Sequence, residues 1–362
     1  MAAGHRRHRL RGVSFGFKGL IEGFYDRTWS WDERRRVAEF VGSHGFDTYV
    51  YAPKSDRNQN GQWRTPYPEE QRRELRAFGE HCHALGMAFW IGLRPLGISY
   101  ADPAEATLVV DKLRDYRALG ADRVMVLADD IPLELDEPGA MRFDSLADAH
   151  AWLVELALSG AGLAPAEVAF CPTEYHGRGS SYLATLGAAL ARDVDICWTG
   201  LDVCSPTILS ADADAVAGRL QRKPLIWDNY PVNDAVMRGQ LHLGPIRGRD
   251  GDLDGHVRGV LVNPALEPEA TLIPLATWAE YLRDPASYDA DAAWRRALLE
   301  VAADQADGDA TAVLAAAVDR SVIEQGWERP SASALERARV RLRHARNRRL
   351  AEDLNPFIAD GV

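Results

Sequence analysis

The chain has 362 residues, of which 46% are hydrophobic, so it is long enough for one large domain and a smaller appendage. Its formal net charge of −11 argues against a partner bound through a phosphate backbone. No apolar run reaches the roughly 18–20 residues that span a bilayer, and the arginine-rich start lacks the apolar stretch of a secretory signal. The sequence therefore predicts a soluble, cytoplasmic protein with no nucleic-acid or membrane partner, preceded by a disordered basic tail over residues 1–13.

The cysteines show no spacing typical of a metal or redox motif. Cys82, Cys171, Cys197 and Cys204 include no Cys-x-x-Cys pair. Three of them lie in or beside apolar runs, where a free thiol packs as a small hydrophobic group. We therefore expect neither disulfides nor a zinc site.

From residue 15 to about residue 285, short apolar runs alternate with amphipathic segments, and there are eight of each. This alternation is typical of a (β/α)8 TIM barrel in the α/β class. The helices predicted between the strands include residues 31–43, 69–85, 104–119 and 145–159, whereas residues 231–256 are glycine-rich and predict a long loop. The predicted strands are residues 17–24, 48–52, 87–93, 123–128, 168–172, 196–200, 225–227 and 259–263.

Asp129 and Asp130 form an adjacent acidic pair at the end of the fourth predicted strand. In barrel enzymes, the reactive groups stand at the C-terminal ends of the strands. Two adjacent carboxylates repel each other, so donors that keep one ionised push the other toward its protonated form. Such a pair also occurs in loops and helix caps, but at this position it predicts an acid and a base.

The other strand ends also carry polar or aromatic side chains. Each one has an ordinary structural explanation: Asn263 before Pro264 fits a turn, and Trp227 fits a core position. Their coincidence across the strands predicts a site at the mouth of the barrel. In chain order these ends are Glu22-Gly23-Phe24-Tyr25, Ala52-Pro53-Lys54, Arg94, Thr173-Glu174-Tyr175, Trp198-Thr199-Gly200, Asp228-Asn229 with Asn233-Asp234, and Asn263.

After Pro285 the composition changes to Ala, Arg and Glu with helical periodicity. Three helices are predicted, over residues 291–304, 310–323 and 332–354, with joints at Pro285, Gly308 and Pro330. The predicted domains are thus the tail 1–13, the catalytic barrel 14–286 and a small C-terminal helical bundle 287–362. The arginines of residues 337–349 are interpreted as a solvated helix face, with a partner surface as the alternative.

The strand-end motifs resemble the catalytic domain of glycoside hydrolase family 84. These are β-N-acetylglucosaminidases that include protein O-GlcNAcases and bacterial enzymes described as hyaluronidases. The motifs fall in order across essentially the whole barrel. They are Gly19-Leu-Ile-Glu-Gly-Phe-Tyr25, Thr48-Tyr-Val-Tyr-Ala-Pro-Lys54, Leu127-Ala-Asp-Asp-Ile131, Cys171-Pro-Thr-Glu-Tyr175, Trp198-Thr-Gly200, Trp227-Asp-Asn-Tyr-Pro-Val-Asn-Asp234, Leu243-Gly-Pro245 and Asn263-Pro264.

The resemblance implies that Asp130 is the general acid/base and that Asp129 orients and polarises the 2-acetamido group of the substrate. It implies that Tyr175 lies against the reacting end of the sugar and that Trp227 walls the acetamide pocket. The hydroxyls and the N-acetyl group would be held by Gly23 through its backbone, Lys54, Asn229, Asp234 and Asn263.

Three stretches depart from the family pattern. Arg94-Pro-Leu-Gly97 stands where Ser-Pro-Gly is common, Ser55 where Asp is common, and Leu201-Asp202 where Pro-Lys is usual. We expect all three on the rim, beyond the scissile bond.

The adjacent pair also favours one mechanism. Most glycosidases hold two carboxylates about 5–10 Å apart across the bond, and neighbours in sequence rarely span that distance. They suit a substrate-assisted reaction, in which the acetamide oxygen forms an oxazoline and the anomeric configuration is retained. One carboxylate protonates the leaving oxygen, and the other accepts the acetamide N–H. Neither a metal nor an organic cofactor is required. Tyr25, Tyr175, Trp198 and Trp227 would supply aromatic faces to the sugar pocket.

The sequence bears on three other functions. A metal-dependent barrel hydrolase is disfavoured because His81 and His83 lie two residues apart on a predicted helix and do not share a face. A catalytically silent sugar-binding barrel stays open as an alternative. So does a hexosaminidase that acts on cell-wall or chitin-derived oligosaccharides in place of β-linked N-acetylglucosamine on protein.

Overall fold

A computed structural model describes residues 14–132, 134–323 and 326–359; the predicted tail lies outside them. Eight parallel strands close into a barrel, since each strand pairs with the next and β8 pairs with β1. The predicted TIM barrel is confirmed. The strands are β1 (Lys18–Glu22), β2 (Thr48–Tyr51), β3 (Ala88–Leu93), β4 (Arg123–Leu127), β5 (Val168–Cys171), β6 (Asp195–Trp198), β7 (Leu225–Asp228) and β8 (Gly259–Val262).

Helices cover the outside of the barrel, and several of them begin at polar caps. Ser30 accepts the backbone N–H of Glu33 at the start of α1, and Asp102 accepts that of Ala104 at the start of α3. The helices are α1 (Trp31–Ser43), α2 (Glu69–Ala84), α3 (Pro103–Ala118), α4 (Glu137–Arg142), α5 (Leu146–Glu155), α6 (Ser181–Ala189), α7 (Ser210–Leu220) and α8 (Leu272–Arg283).

The connection between β7 and β8 contains little helix, as the sequence predicted. Its helical content is limited to two single turns of 3₁₀ helix, Ala235–Met237 and Leu253–Gly255. The loop instead carries polar side chains toward the mouth of the barrel.

The barrel has two apolar layers. Strand residues that point outward pack against the helices, and those that point inward fill the barrel interior. Because the interior is filled, a ligand site can form only at an end of the barrel. The inward residues are Ile21, Val50, Ala52, Trp90, Met125, Leu127, Ala169, Cys171, Cys197, Leu225, Trp227 and Leu261.

The segment after the barrel contains α9 (Ala290–Ala302), α10 (Gln305–Val318), α11 (Ala332–Leu342) and α12 (Arg348–Ala359). The predicted third helix, 332–354, is thus two helices. A turn separates them because the N–H of Arg346 donates to Asp307 at 2.7 Å, and Asn347 accepts the N–H of Leu350 at 3.2 Å.

The predicted joint at Gly308 is also wrong. Gly308 lies inside α10, where an added Cβ would stand 3.3 Å from the carbonyl of Leu298 on α9. The chain turns instead at Ala303, whose φ is 59°, and Asp304 caps α10. Glycine at position 308 therefore serves close helix packing and not a turn.

These C-terminal helices contact the barrel through partly buried carboxylates. Asp353 on α12 accepts the backbone N–H groups of Glu269 and Ala270, at 2.6 and 3.0 Å. Asp319, after α10, accepts those of Leu243 and Gly244, at 3.0 and 3.2 Å. Within the residues that the structure describes, no helix is long and apolar enough to cross a membrane.

Candidate active site

A cavity of about 540 Å³ opens at the C-terminal mouth of the barrel. It is lined by residues at or after the ends of β1, β2 and β4 to β8. The nine residues to which the family resemblance assigned roles all line this one cavity. Their individual roles stay predictions. The nine residues are Gly23, Lys54, Asp129, Asp130, Tyr175, Trp227, Asn229, Asp234 and Asn263.

Asp129 forms a buried ion pair with Lys54. The Lys54 Nζ donates to Asp129 Oδ2 at 2.5 Å, and the two side chains are 2% and 8% exposed. The ammonium also lies 5.4 Å from the ring centre of Trp227. Asp129 Oδ1 is buried and has no hydrogen-bond partner among the described residues. Because a buried acceptor without a donor is costly, this oxygen suits an N–H group supplied by a ligand.

Asp130 accepts two tyrosine hydroxyls. Tyr25 donates to Oδ2 and Tyr175 donates to Oδ1, each at 2.7 Å. Burial pushes the pKa of Asp130 upward, but these two hydroxyls and the charges of Lys54 and Arg94 outweigh it, so the pKa lies below its usual value.

The expectation that repulsion within the pair drives one carboxyl toward its protonated form therefore fails for Asp130. The sequence did not show that Lys54 offsets the charge of Asp129. Nor did it show that two hydroxyls stabilise the Asp130 carboxylate.

The two tyrosines remain neutral donors. Burial, followed by the hydrogen bond to Asp130, raises the pKa of Tyr25 and of Tyr175 far above the usual value. The sequence predicts Tyr25 only as an aromatic face, and its hydroxyl is a further functional group. Its position just after β1, opposite the acidic pair, was the available signal for its role as a donor to Asp130.

Gly23 and Trp227 are in close contact in the wall of the cavity. A Cβ added to Gly23 would stand 2.3 Å from the Trp227 ring, so only glycine fits. The N–H of Gly23 donates to Asn263 Oδ1 at 3.2 Å. Asn229 Oδ1 in turn accepts Trp227 Nε1 at 3.0 Å and Asn263 Nδ2 at 2.9 Å. These contacts fix the wall without a ligand.

Asp234 lines the cavity and contacts the backbone of Tyr25. Its Oδ2 accepts the backbone N–H of Tyr25 at 2.7 Å, which ties the loop after β7 to the end of β1. Burial and the nearby charge of Asp26 raise the pKa of Asp234, although the Tyr25 N–H lowers it. A largely buried carboxylate in the cavity wall is suited to accept sugar hydroxyls.

Two predicted placements are wrong. Trp198 was expected to offer an aromatic face, but it is fully buried, does not line the cavity and donates its Nε1 to the carbonyl of Gly177 at 2.8 Å. Arg94 was expected on the rim, but it is 7% exposed and its guanidinium lies beneath the acidic pair. Position at a strand end does not reveal which way a side chain points.

Other residues of the cavity wall were not among the predicted site residues. Asp202, next to a predicted rim departure, does line the cavity. The remaining residues are mostly apolar, and one of them, Val322, comes from the segment after α10. The apolar residues and cysteines of this set are Cys171, Val203, Cys204, Val232, Ala235, Val236, Met237 and Val322, and Thr199 is its polar member.

Comparisons with known proteins agree with this geometry. The sequence model of the family described as beta-N-acetylglucosaminidase matches residues 18–316. Protein O-GlcNAcase of Rattus norvegicus and that of Mus musculus are each 32% identical over 271 residues, which is 72% of this chain. The match spans 29% of the length of those two relatives.

Solved structures are similar over most of the chain. A mutant of the O-GlcNAc hydrolase of Thermobaculum terrenum superposes with a TM-score of 0.86 at 28% identity, covering 95% of this chain and 81% of that one. CpGH84B superposes with a TM-score of 0.82 over 96% of this chain and 66% of its own. Its identity of 23% shows the fold alone.

Proposed function

The chain belongs to the beta-N-acetylglucosaminidase family, glycoside hydrolase family 84, and from this membership we propose that it is a retaining exo-β-N-acetylglucosaminidase. The resemblance found in the sequence motifs is thereby confirmed at the level of the family. The proposed reaction is substrate-assisted, with the acetamide of the sugar as nucleophile and an oxazoline as intermediate.

The observation that carries the proposal is the asymmetry of Asp129. Lys54 fixes Oδ2, while Oδ1 stays buried without a donor. An acetamide N–H at Oδ1 would satisfy that oxygen, orient the acetamide and stabilise the positive charge that develops on its nitrogen. A carboxylate that served only to activate water would not require an N–H donor at this oxygen.

Asp130 supplies the proton transfers. In the first step the acetamide oxygen bonds to the anomeric carbon, the glycosidic bond breaks, and the departing oxygen takes a proton from Asp130. In the second step Asp130 removes a proton from water, which opens the oxazoline with retention. A bound sugar excludes water and strengthens the desolvation that acts to raise the pKa of Asp130. Substrate binding thus favours the protonated form that the first step uses.

A single terminal sugar fits the arrangement. Asp234, Asn229 and Asn263 approach the cavity from the ends of β7 and β8, and all three are tied to neighbouring groups. A pocket closed on that side holds the non-reducing end and blocks an internal residue. The enzyme should therefore release only monosaccharide.

The proposed substrate is β-linked N-acetylglucosamine on protein. The names of the relatives, protein O-GlcNAcase and O-GlcNAc hydrolase, favour it over cell-wall or chitin-derived oligosaccharides. The cytoplasmic location expected from the sequence remains a prediction.

The mechanism can be tested with a series of aryl N-acetylglucosaminides. In this series the hydrogens of the acetyl group are replaced stepwise by fluorine. Each fluorine withdraws electrons from the attacking oxygen, so kcat/KM should fall progressively while the leaving group stays the same. Equal rates along the series would contradict an acetamide nucleophile. If the parent compound is not turned over at all, the result would favour the alternative of a catalytically silent sugar-binding barrel.

A second panel tests the substrate. A glycopeptide bearing β-N-acetylglucosamine on Ser or Thr should be cleaved about as readily as an aryl glycoside of similar leaving-group demand. Cleavage of chitobiose without activity on glycopeptides would move the assignment to oligosaccharides. Release of disaccharide from hyaluronan or chitin would contradict the closed pocket.

A further inference from the structure

Arg94 binds the backbone of both aspartates. Its Nε donates to the carbonyl of Asp129 at 3.2 Å, and its Nη2 donates to the carbonyl of Asp130 at 2.8 Å. The planar guanidinium presents several donors in fixed directions, whereas a lysine ammonium is a compact point charge. Two consecutive carbonyl groups are thus held by one rigid side chain.

The backbone at this point is strained. Asp130 has a φ of 51°, in the left-handed region that side chains with a Cβ rarely adopt. Such a conformation persists only where its surroundings fix it. It directs the Asp130 carboxylate toward the hydroxyls of Tyr25 and Tyr175.

Arg94 also brings a charge close to the carboxylate. The titratable or charged groups that face Asp130 come from every neighbouring strand end: Tyr175, Tyr25, Lys54 and Arg94, with Asp129 beside it in the chain. Burial acts to raise the pKa of Asp130, and the two hydroxyls, Lys54 and Arg94 act to lower it. Loss of the charge at position 94 would therefore raise that pKa.

We propose that Arg94 is a positioning residue for the reaction: its two donations hold the strained turn that aims the Asp130 carboxylate into the cavity, and its charge stabilises the ionised form. The inference rests on the proposed function, because it takes Asp130 as the general acid. It also explains why a residue expected on the rim is buried.

Two substitutions separate the donations from the charge. Arg94→Gln removes the charge and the guanidinium fork, and Arg94→Lys keeps the charge without the fork. Arg64→Gln is the control, because the guanidinium of Arg64 binds Glu105 and the carbonyl of Gly97 in the same loop after β3. Each variant is assayed on an aryl β-N-acetylglucosaminide for kcat, KM and the pH profile of kcat/KM, and its thermal unfolding is recorded.

Both Arg94 variants should lose about 10- to 100-fold in kcat, since a small misplacement of a reacting group has an effect of this size. The alkaline limb of kcat/KM should move to higher pH in Arg94→Gln, because a general acid with a higher pKa stays protonated longer. It should stay in place in Arg94→Lys and in Arg64→Gln, and the control should keep the wild-type kcat.

Wild-type kcat in Arg94→Lys would overturn the positioning role, and an unmoved alkaline limb in folded Arg94→Gln would overturn the role of the charge. If unfolding shows that Arg94→Gln does not fold, Arg94→Lys still decides the proposal through its kcat. An inactive wild-type protein would contradict the proposed function itself, so the two failures are distinguishable.

Discussion

Strand β4 has buried charge at both of its ends, and each end leaves one buried polar atom without a hydrogen-bond partner among the described residues, Arg123 Nε and Asp129 Oδ1. The two ends differ in that Asp129 lines the cavity at the mouth of the barrel, whereas Arg123 does not. At the N-terminal end, Arg123 Nη2 lies 2.6 Å from Asp195 Oδ2, and Arg258 Nε lies 3.1 Å from the other oxygen of that carboxylate. The Arg123 guanidinium also lies over the rings of Trp90 and Phe17, at 4.2 and 4.8 Å from their centres. This end of the barrel is packed closed.

The C-terminal end of the same strand leaves one acceptor unsatisfied. Asp129 has a single ion-pair partner, Lys54, and its Oδ1 faces no donor among the described residues. The pair Asp129–Lys54 is as buried as the pair Arg123–Asp195, with exposures of 8% and 2% against 9% and 7%. Burial and pairing therefore do not distinguish a site from a structural contact. An unsatisfied polar atom alone does not distinguish them either, because Arg123 Nε is also buried without a hydrogen-bond partner among the described residues. Asp129 Oδ1 differs in that it is unsatisfied on a residue that lines the cavity.

Asp130→Asn should give the largest loss at the mouth. On aryl glycosides with poor leaving groups, kcat/KM should fall about 10²- to 10⁴-fold, because an amide cannot donate the proton that the departing oxygen needs. On acidic phenols, which leave without protonation, the loss should be small. A uniform loss across leaving groups would show that Asp130 is not the acid.

Asp129→Asn should lose about 10²- to 10³-fold in kcat/KM, since the amide no longer stabilises the charge on the acetamide nitrogen. In contrast to Asp130→Asn, the loss should be the same for every leaving group. A leaving-group dependence equal to that of Asp130→Asn would refute the separate roles of the two carboxylates.

Asp195→Ala tests the closed end. It leaves Arg123 buried without its carboxylate, so the free energy of unfolding should fall by about 3–5 kcal/mol while kcat of the folded protein stays unchanged. Denaturant unfolding measures the free energy of unfolding, and an assay on an aryl β-N-acetylglucosaminide measures kcat.

Asp111→Ala is the matched control, because the Arg114–Asp111 pair is 60% and 63% exposed and should contribute less than about 1 kcal/mol. A lost kcat in folded Asp195→Ala would mean that the two ends are coupled.

The sequence predicted which strand ends meet but not which way each side chain turns. Glu22 ends β1, yet it points away from the cavity and binds Arg34 at 2.7 and 2.8 Å and the Tyr49 hydroxyl at 3.0 Å. The next residue, Gly23, lines the cavity. Since successive residues alternate sides, an error of one position moves a residue from the site into the helix layer.

The electrostatic state of the pair was also beyond the sequence. It depends on Lys54, which follows β2, and on Tyr25, which follows β1. They are 75 and 105 residues from their partners in the chain. Hydrogen bonds of such separation follow from barrel closure and not from local pattern. The family motifs identified these residues as neighbours of the site, but only the geometry shows which oxygen each one binds.

Tyr25→Phe should have the smallest effect and tests the sign of the Asp130 pKa. Removing the hydroxyl takes away one of the donors that stabilise the Asp130 carboxylate, so the pKa of Asp130 should rise. Because the general acid acts in its protonated form, the alkaline limb of kcat/KM should move to higher pH. The loss of one hydrogen bond of about 1 kcal/mol predicts a change in kcat of only about fivefold.

Tyr288→Phe is the control, since that buried hydroxyl donates to the carbonyl of Ile246, away from the cavity. An alkaline limb that moves to lower pH, or that stays fixed while kcat falls, would contradict this prediction. The group that titrates there would then not be the carboxylate that Tyr25 binds. Asp129 alone would then account for the difference between the two ends of β4.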